Sequence, residues 1–310
     1  MSKERPDRFE EYRRHLFGIA YRMLGEVAGA EDIVQEAWLR WNRADRQEIR
    51  DPRAWLSAVV VRLSLDALRA ARARRERYVG PWLPEPLLPD DMRALSADSV
   101  ASHAELASDL SLALLHVLER LGPEERAAFI LHEAFDCDYA EIAAVLEKSE
   151  AACRKLVSRA RERVRNGRAR HEATREEHHA LMLRFAEAVA TSDQTKLLSL
   201  FADDVVFYSD GGGQVPAALK PVRGADSVMR LLIGLVRKAP VPSSPAIGPT
   251  EINGRFALAL KLGDALHSVV TADGTADRIT AIYVIRNPEK LARYRQTMPC
   301  PSVPGSSASV

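Results

Sequence analysis

Two clusters of cations offer the plainest chemistry in these 310 residues. Between 150 and 170, Arg154, Lys155, Arg159, Arg161, Arg163, Arg165, Arg168 and Arg170 stand against Glu150 and Glu162, a net charge of +6. Between 62 and 77, Arg62, Arg69, Arg72, Arg74, Arg75 and Arg77 stand against Asp66 and Glu76, a net +4. Guanidinium and ammonium groups at this density grip phosphate oxygens, and Arg or Lys can pair with guanine edges. A run of cations is also what a solvated helix face looks like, but two runs on separate modules favour nucleic acid. The whole-chain charge of +1 hides both, because a nucleic-acid surface is a local property.

Candidates for other chemistry are sparse. Asp204, Asp210 and His267 are nominal proton-transfer groups, yet nothing in their spacing marks a constellation. The glycines of "DGGG" (210–213) are not followed by the Gly-Lys-Ser/Thr of a phosphate loop and fit a tight hairpin or bulge. His178 and His179 have no third ligand near them and read as solvent-facing, and no HExxH occurs. Cys137, Cys153 and Cys300 are scattered without a CxxC pair, so neither a disulfide framework nor a metal site is expected, and no cofactor is implied. The expected activity is binding rather than catalysis.

Helices must position the cations. "FEEYRRHLFGIAYRMLG" spaces Phe9, Tyr12, Leu16, Ile19, Ala20 and Met23 on one face, and Gly25 and Gly29 are expected to break it. The next helix turns Ile33, Val34, Ala37, Trp38 and Trp41 inward and leaves Asp32, Gln35, Glu36 and Arg40 to solvent. Asp51 and Pro52 set the start of a third helix, which ends in the first cationic cluster. Further on, Asp138 with Glu141 makes a capping-box start, "EKSE" turns, and Ser149 caps a second helix. That helix carries an apolar stripe of Ala152, Leu156, Ala160 and Val164, with Arg154, Ser158, Arg161 and Arg165 opposite and Lys155 and Arg159 flanking. This is the pattern of a helix-turn-helix whose second helix enters the major groove.

"AEDIVQEAWLRWNRA", "DPRAWLSAVVVRLSLDALRAARARR" and "LERLGPEERAAFILHEAFDCDYAEIAAVLEKSEAACRKLVSRARERVR", in that order, resemble regions 2 and 4 of an extracytoplasmic-function sigma factor of bacterial RNA polymerase. The resemblance implies a promoter-specificity subunit. Region 2 would dock on the clamp of the largest polymerase subunit and open the −10 element, and region 4 would read the −35 element. Asp32, Gln35 and Glu36 stand where the family's helix meets the clamp. The segment 45–55 aligns with the loop that captures an extruded −10 base; Arg53 lies in it, and Arg62, Asp66 and Arg69 lie on the helix that follows. Trp55 could stack on a base but fits better as a core anchor. Arg154, Lys155, Ser158, Arg159 and Arg161 are the −35 candidates, with base-reading and phosphate-gripping roles undivided among them.

A minimal family member would stop soon after Arg165, whereas this chain continues. An amphipathic helix, a short helix and the run "VVFYS", followed by "RFALAL", "ALHSVVTA" and "RITAIYVIRNPEKL", give helices first and a sheet after. This third, α+β module is similar to the SnoaL-like branch of the NTF2-like fold, a cone-shaped sheet wrapped on helices. The fold class expected is therefore multidomain. A region 2 module (1–78), a Pro-rich linker (79–103) and a region 4 module (104–168), both modules all-α, precede the SnoaL-like domain (176–298) and a disordered tail (299–310).

The linker begins with the strap "RYVGPWLPEPLLPDD", in which Pro81, Pro84, Pro86 and Pro89 favour an extended path. A group within the sigma family carries a SnoaL-like domain together with W-L-P-E-P, D-G-G-G-K and N-P-D-K-L signatures. Here stand Trp82, Leu83, Pro84, Glu85 and Pro86; Asp210, Gly211, Gly212 and Gly213 followed by Gln214; and Asn287, Pro288, Glu289, Lys290 and Leu291. Gln214 and Glu289 depart from the signatures, and the first removes a charge. The resemblance implies that the appended domain regulates the chain in cis, with Trp82 and Leu83 buried in a groove of the third module. The partners implied are core polymerase, promoter DNA and the chain's own C-terminal domain. No apolar run reaches the roughly 18 residues that span a bilayer and no secretory leader opens the chain, so a cytoplasmic protein without a membrane partner is expected. Two alternatives are a ligand-sensing DNA-binding regulator that is not a sigma factor and a residual SnoaL-like enzyme activity.

Overall fold

The computed structural model describes residues 5–45, 49–75, 78–96, 106–108, 110–167, 173–238, 246–263 and 265–297. The side chains of Arg72, Arg74 and Arg75, all of Arg77, Arg168, Arg170 and Cys300, and the tail 299–310 lie outside that description. The chain divides into two compact units. The helical unit takes Met1–Tyr78, Leu83–Arg170 and Asn253–Arg255; the C-terminal unit takes Val79–Trp82, His171–Ile252 and Phe256–Val310.

In the helical unit, α1 (Arg5–Leu24) buries the face that the spacing predicts, with Tyr12 at its edge. It stops at Gly25, whose φ of 70° suits a residue without a Cβ. Gly29 does not break the chain; it lies inside α2 (Val27–Arg43), because the turn is complete at Gly25 and the apolar period resumes at Val27. The third helix, α3 (Pro52–Arg75), starts as expected, with Asp51 Oδ1 accepting from Ala54 N at 3.0 Å. The strap's fourth proline, Pro89, is not extended: it opens α4 (Pro89–Ser96), since proline is well tolerated in a helix's first turn. Then follow α5 (Leu112–Leu118), α6 (Pro123–Phe135), α7 (Tyr139–Leu146) and α8 (Glu150–Gly167). One hydrophobic core runs through this unit, from Phe9 of α1 to Val164 of α8. The two helical stretches that the sequence sets apart share it.

The C-terminal unit is α+β. Helices α9 (Arg175–Ala190) and α10 (Gln194–Leu200) precede β1 (Phe201–Asp210), β2 (Val222–Arg223), α11 (Ala225–Arg237), β3 (Ala246–Ile252), β4 (Arg255–Leu262), β5 (Ala265–Gly274), β6 (Ile279–Ile285) and α12 (Ala292–Thr297). The sheet order is β2-β1-β6-β5-β4-β3, with β1 parallel to β6 and the β5 pairs antiparallel. Leu181, Phe185, Leu197, Val205, Phe207, Val228, Leu232, Ile282 and Val284 form its core, so one face of the sheet packs on α9, α10 and α11. Helix α11 was not foreseen, although Val228, Met229, Leu232 and Ile233 recur at helical spacing after Gly224. No described helix is long and apolar enough to cross a membrane.

Candidate functional site

Local chemistry builds the helix-turn-helix as its sequence predicts. Asp138 and Glu141 exchange capping bonds of 2.8 Å each at the start of α7, and Glu147 turns the chain with a φ of 55°. Ser149 Oγ accepts from Ala152 N at 3.3 Å to begin α8. Cys153, Leu156, Val157, Ala160 and Val164 of α8 are buried, a wider stripe than expected, with Ala152 at its margin. Arg154, Lys155, Ser158, Arg159, Arg161 and Arg165 all face solvent.

Acidic groups hold most of these cations in place. Arg154 meets Glu150 at 3.0 Å and lies over the Tyr139 ring. Arg161 meets Glu133 at 2.6 Å, and that hydrogen bond raises its pKa further. Glu125, almost buried in the first turn of α6, receives Arg159 at 3.3 Å and also Arg163, while accepting from Gly122 N. Among the described residues Lys155, Ser158 and Arg165 have no such partner, which leaves them the most available to an incoming phosphate or base edge.

On α2, Asp32 and Gln35 are exposed, and Glu36 is half-exposed with Arg40 at 3.0 Å. Arg53, Arg62, Asp66 and Arg69 are exposed along α3, while residues 46–48 of the expected capture loop lie outside the description. Trp55 is half-buried with its ring 5.9 Å from that of Trp41, the position of a core anchor. Behind α3, His15 bonds Ser57 Oγ at 3.0 Å; burial, then Arg53 and Arg22, lower its pKa to about 4.

The α3 arginines reach the helix-turn-helix. Arg62 donates to the carbonyls of Val145 and Ala144 at 3.2 Å each and pairs with Glu147 at 3.1 Å. Those carbonyls end α7, where the helix dipole adds negative potential. Arg69 pairs with Asp66 at 3.3 Å and with Glu124 of α6 at 3.6 Å. The α3 candidate surface thus packs on the end of α7 and the first turn of α6, whose carbonyls and carboxylates supply its counter-charge.

The strap divides between the units. Leu83 to Leu88 are buried within the helical unit, which corrects the expectation that Leu83 sits in the third module with Trp82. The reason is polar as well as apolar. Glu85 N donates to Gly25 O at 2.8 Å, its carbonyl accepts from Tyr21 Oη at 2.6 Å, and its carboxylate accepts from Val27 N at 2.8 Å. Glu85 therefore caps α2 from outside, where Glu26 makes no side-chain cap. Burial raises the Tyr21 pKa, keeping the phenol protonated for its bond.

Asn253, which belongs to the same unit, was missed in the sequence. Its amide donates to Tyr21 Oη at 3.0 Å and Leu110 O at 2.8 Å, accepts from Leu87 N at 3.1 Å, and its backbone N donates to Leu87 O at 3.0 Å. The signal was the Asn-Gly pair between strand-like runs, which favours φ above zero; Asn253 has 51°.

Trp82, Asp210 and Lys290 come together in the C-terminal unit. The Asp210 carboxylate accepts from Lys290 Nζ at 2.7 Å and Gly212 N at 3.0 Å, and its carbonyl accepts from Arg286 N and Asn287 N at 2.8 Å each. Lys290 Nζ lies 4.0 Å from the centre of the Trp82 ring. Gly212 has φ 63°, and a Cβ there would lie 2.5 Å from the Asn287 amide. Leu291 is buried and donates its N–H to Asn287 O, while Pro288 is half-buried. The two departures meet each other: Gln214 Nε2 donates to Glu289 Oε1 at 2.8 Å, so a neutral-to-charged hydrogen bond stands there.

The nominal proton-transfer residues are engaged separately. Asp204 is exposed, Asp210 is ion-paired, and His267 bonds Arg286. His178 is not solvent-facing as expected; it is buried, bonding Ala272 O at 3.0 Å, because its place on α9 turns it to the sheet. His179 is exposed beside Phe256. The Cys137 thiol is pushed up to about 11 by burial, with Glu141 adding to the effect, and Cys153 is buried.

Comparison with known proteins matches the same stretches. Residues 8–74 fit the model of Sigma-70 region 2 and residues 111–164 that of Sigma-70, region 4. The ECF RNA polymerase sigma factor SigJ of Mycobacterium tuberculosis is 42% identical over 296 residues, 91% of each chain. The probable ECF RNA polymerase sigma factor SigI of the same organism is 33% identical over 286 residues, 92% of this chain and 93% of that one. The crystal structure of M. tuberculosis SigJ superposes with a TM-score of 0.73 at 38% identity, covering 92% of this chain and 98% of that one.

Proposed function

The chain belongs to the extracytoplasmic-function RNA polymerase sigma factors, and from that premise we propose how its parts divide the work. Asp32, Gln35 and Glu36 on α2 dock on the clamp of the largest subunit of core polymerase. Arg53, Arg62, Asp66 and Arg69 engage the −10 element, and Arg154, Lys155, Ser158, Arg159 and Arg161 engage the −35 duplex. The C-terminal domain regulates this in cis through the strap, with Trp82, Asp210 and Lys290 holding one end and Glu85 the other. Its enzyme-like reading loses support, since Asp204, Asp210 and His267 each have a different environment. The reading as a regulator outside the sigma family falls with family membership.

One observation supports a closed arrangement of the DNA-binding parts: Arg62 of the −10 helix sits 3.1 Å from Glu147 in the turn of the −35 helix-turn-helix. Elements whose names place them about 25 base pairs apart are about 85 Å apart along B-DNA, at 3.4 Å per pair. With α3 packed on the helix-turn-helix the two elements cannot be served at once, so on this reading the free chain is closed and core polymerase opens it by preferring the separated arrangement. Run-off transcription with core enzyme tests this, using the full chain and a chain ending after residue 168. Both are expected to initiate, with the truncation altered in core affinity or in yield. Identical core affinity, promoter binding and yield would remove the cis-regulatory role.

A further inference from the structure

Three parts of the helical unit meet on one side chain. The Asn253 carboxamide donates from Nδ2 to Tyr21 Oη at 3.0 Å and to Leu110 O at 2.8 Å, and its Oδ1 accepts from Leu87 N at 3.1 Å. Tyr21 belongs to α1 within the region 2 match, Leu87 to the strap, and Leu110 directly precedes the region 4 match. Region 2 and region 4 therefore cannot move apart without taking at least one acceptor from that amide. The next residue is fixed as firmly. Gly254 has φ 72°, and a Cβ there would lie 2.7 Å from Ala107 Cβ and 3.0 Å from Met92 Cε, so the packing demands glycine.

Glycine after asparagine makes the side-chain amide labile, because no Cβ shields the glycine nitrogen and its backbone turns freely. The Gly254 nitrogen, on losing its proton, attacks Asn253 Cγ; Nδ2 leaves as ammonia and a succinimide forms. Water then opens the ring at either carbonyl, to aspartate or to isoaspartate. Ring closure requires the carboxamide to turn toward the Gly254 nitrogen. Asn253 is buried, and its hydrogen bonds to Tyr21, Leu110 and Leu87 resist that rotation. We propose that Asn253 is a deamidation site which the closed helical unit guards and which separation of region 2 from region 4 exposes. The reaction runs one way. An aspartate has no N–H for Leu110 O and sets an acceptor against that carbonyl, and isoaspartate adds a methylene to a turn packed on Ala107 and Met92. A chain that has reacted does not re-form the link. This rests on the opening proposed above, and the test reads the two apart.

The full-length chain is incubated at mildly alkaline pH in three states: free, unfolded in urea, and bound to core polymerase with promoter DNA. Peptide mapping follows asparagine, aspartate and isoaspartate at position 253. Asn166, exposed before Gly167 at the end of α8, is the same dipeptide and serves as the internal reference. In the free chain Asn253 should react more slowly than in urea by about tenfold or more. Polymerase should restore most of that rate at Asn253 and leave Asn166 no faster. Asn253→Asp, which supplies the product directly, should lengthen the spacing of α3 and α8 in the free chain, read between spin labels at Ala70→Cys and Ala151→Cys. If that variant does not fold, the wild-type rates decide. The proposal is overturned if Asn253 reacts in the free chain as fast as in urea, or if polymerase speeds Asn166 by the same factor. It is also overturned if polymerase lengthens the spacing while Asn253 reacts no faster. A spacing that stays short on binding would instead overturn the opening itself, and with it the release of Asn253.

Discussion

Arg161 of α8 and the lysine of the C-terminal signature are both ion-paired, yet their surroundings differ. Arg161 and Glu133 keep 51% and 34% of their side-chain surface in water, whereas Lys290 and Asp210 keep 8% and 0%. An exposed pair contributes about 0–1 kcal/mol, so a phosphate can replace the glutamate at little cost. A buried pair resists exchange, because removing either partner strands a charge at low dielectric. The α8 pairs are therefore open to exchange, and the Lys290 cluster is a fixture against the Trp82 ring.

The largest expected effect breaks the fixture. Lys290→Met should destabilise the full chain by about 3–5 kcal/mol in urea unfolding, by taking the Lys290 ammonium from the buried Asp210 carboxylate. Adding Asp210→Ala to it should recover part of the loss, and an unchanged midpoint in the single variant would contradict the buried pair. On α8 the same kind of cut should spare stability and cost binding. Arg161→Ala is expected to shift the folding free energy by no more than about 0.5 kcal/mol. It should weaken binding to a −35 duplex by about 1–3 kcal/mol if it reads a base, or lower the salt slope by about one if it grips a phosphate.

Between these stands Glu85, a buried carboxylate that accepts from the first N–H of a helix. Glu85→Ala should cost about 1 kcal/mol and speed hydrogen exchange at Val27, read by amide NMR. The smallest effect sharpens the comparison at its exposed margin. Restoring the signature with Gln214→Lys and Glu289→Asp should change stability by about 0–1 kcal/mol in the same urea assay, because that pair lies at the surface.

What the sequence disclosed and withheld follows range in the chain. The helix starts at Asp51, Asp138 and Ser149 were legible because caps act within four residues, and the inward faces of α1 and α2 because burial follows a fixed period. Candidate surfaces were legible as charge. Their pairing was not, since Arg62 and Ala144, or Arg163 and Glu125, meet only through the shared core. His178 misled because one residue of helix rotation separates a solvent position from the sheet. The division of the strap at Trp82 and Leu83 was hidden for a similar reason: Glu85 finds its partners at Tyr21, Gly25 and Val27, 58 to 64 residues upstream.

If α3 and the helix-turn-helix stay packed together until polymerase separates them, the distance between their helices reports it most directly. Spin labels at Ala70→Cys on α3 and Ala151→Cys on α8, in a chain otherwise free of cysteine, report the spacing by pulsed electron resonance. A short, narrow distribution in the free chain that lengthens on adding core polymerase and promoter DNA is the predicted result. One distribution unchanged between the free and polymerase-bound chain would contradict it.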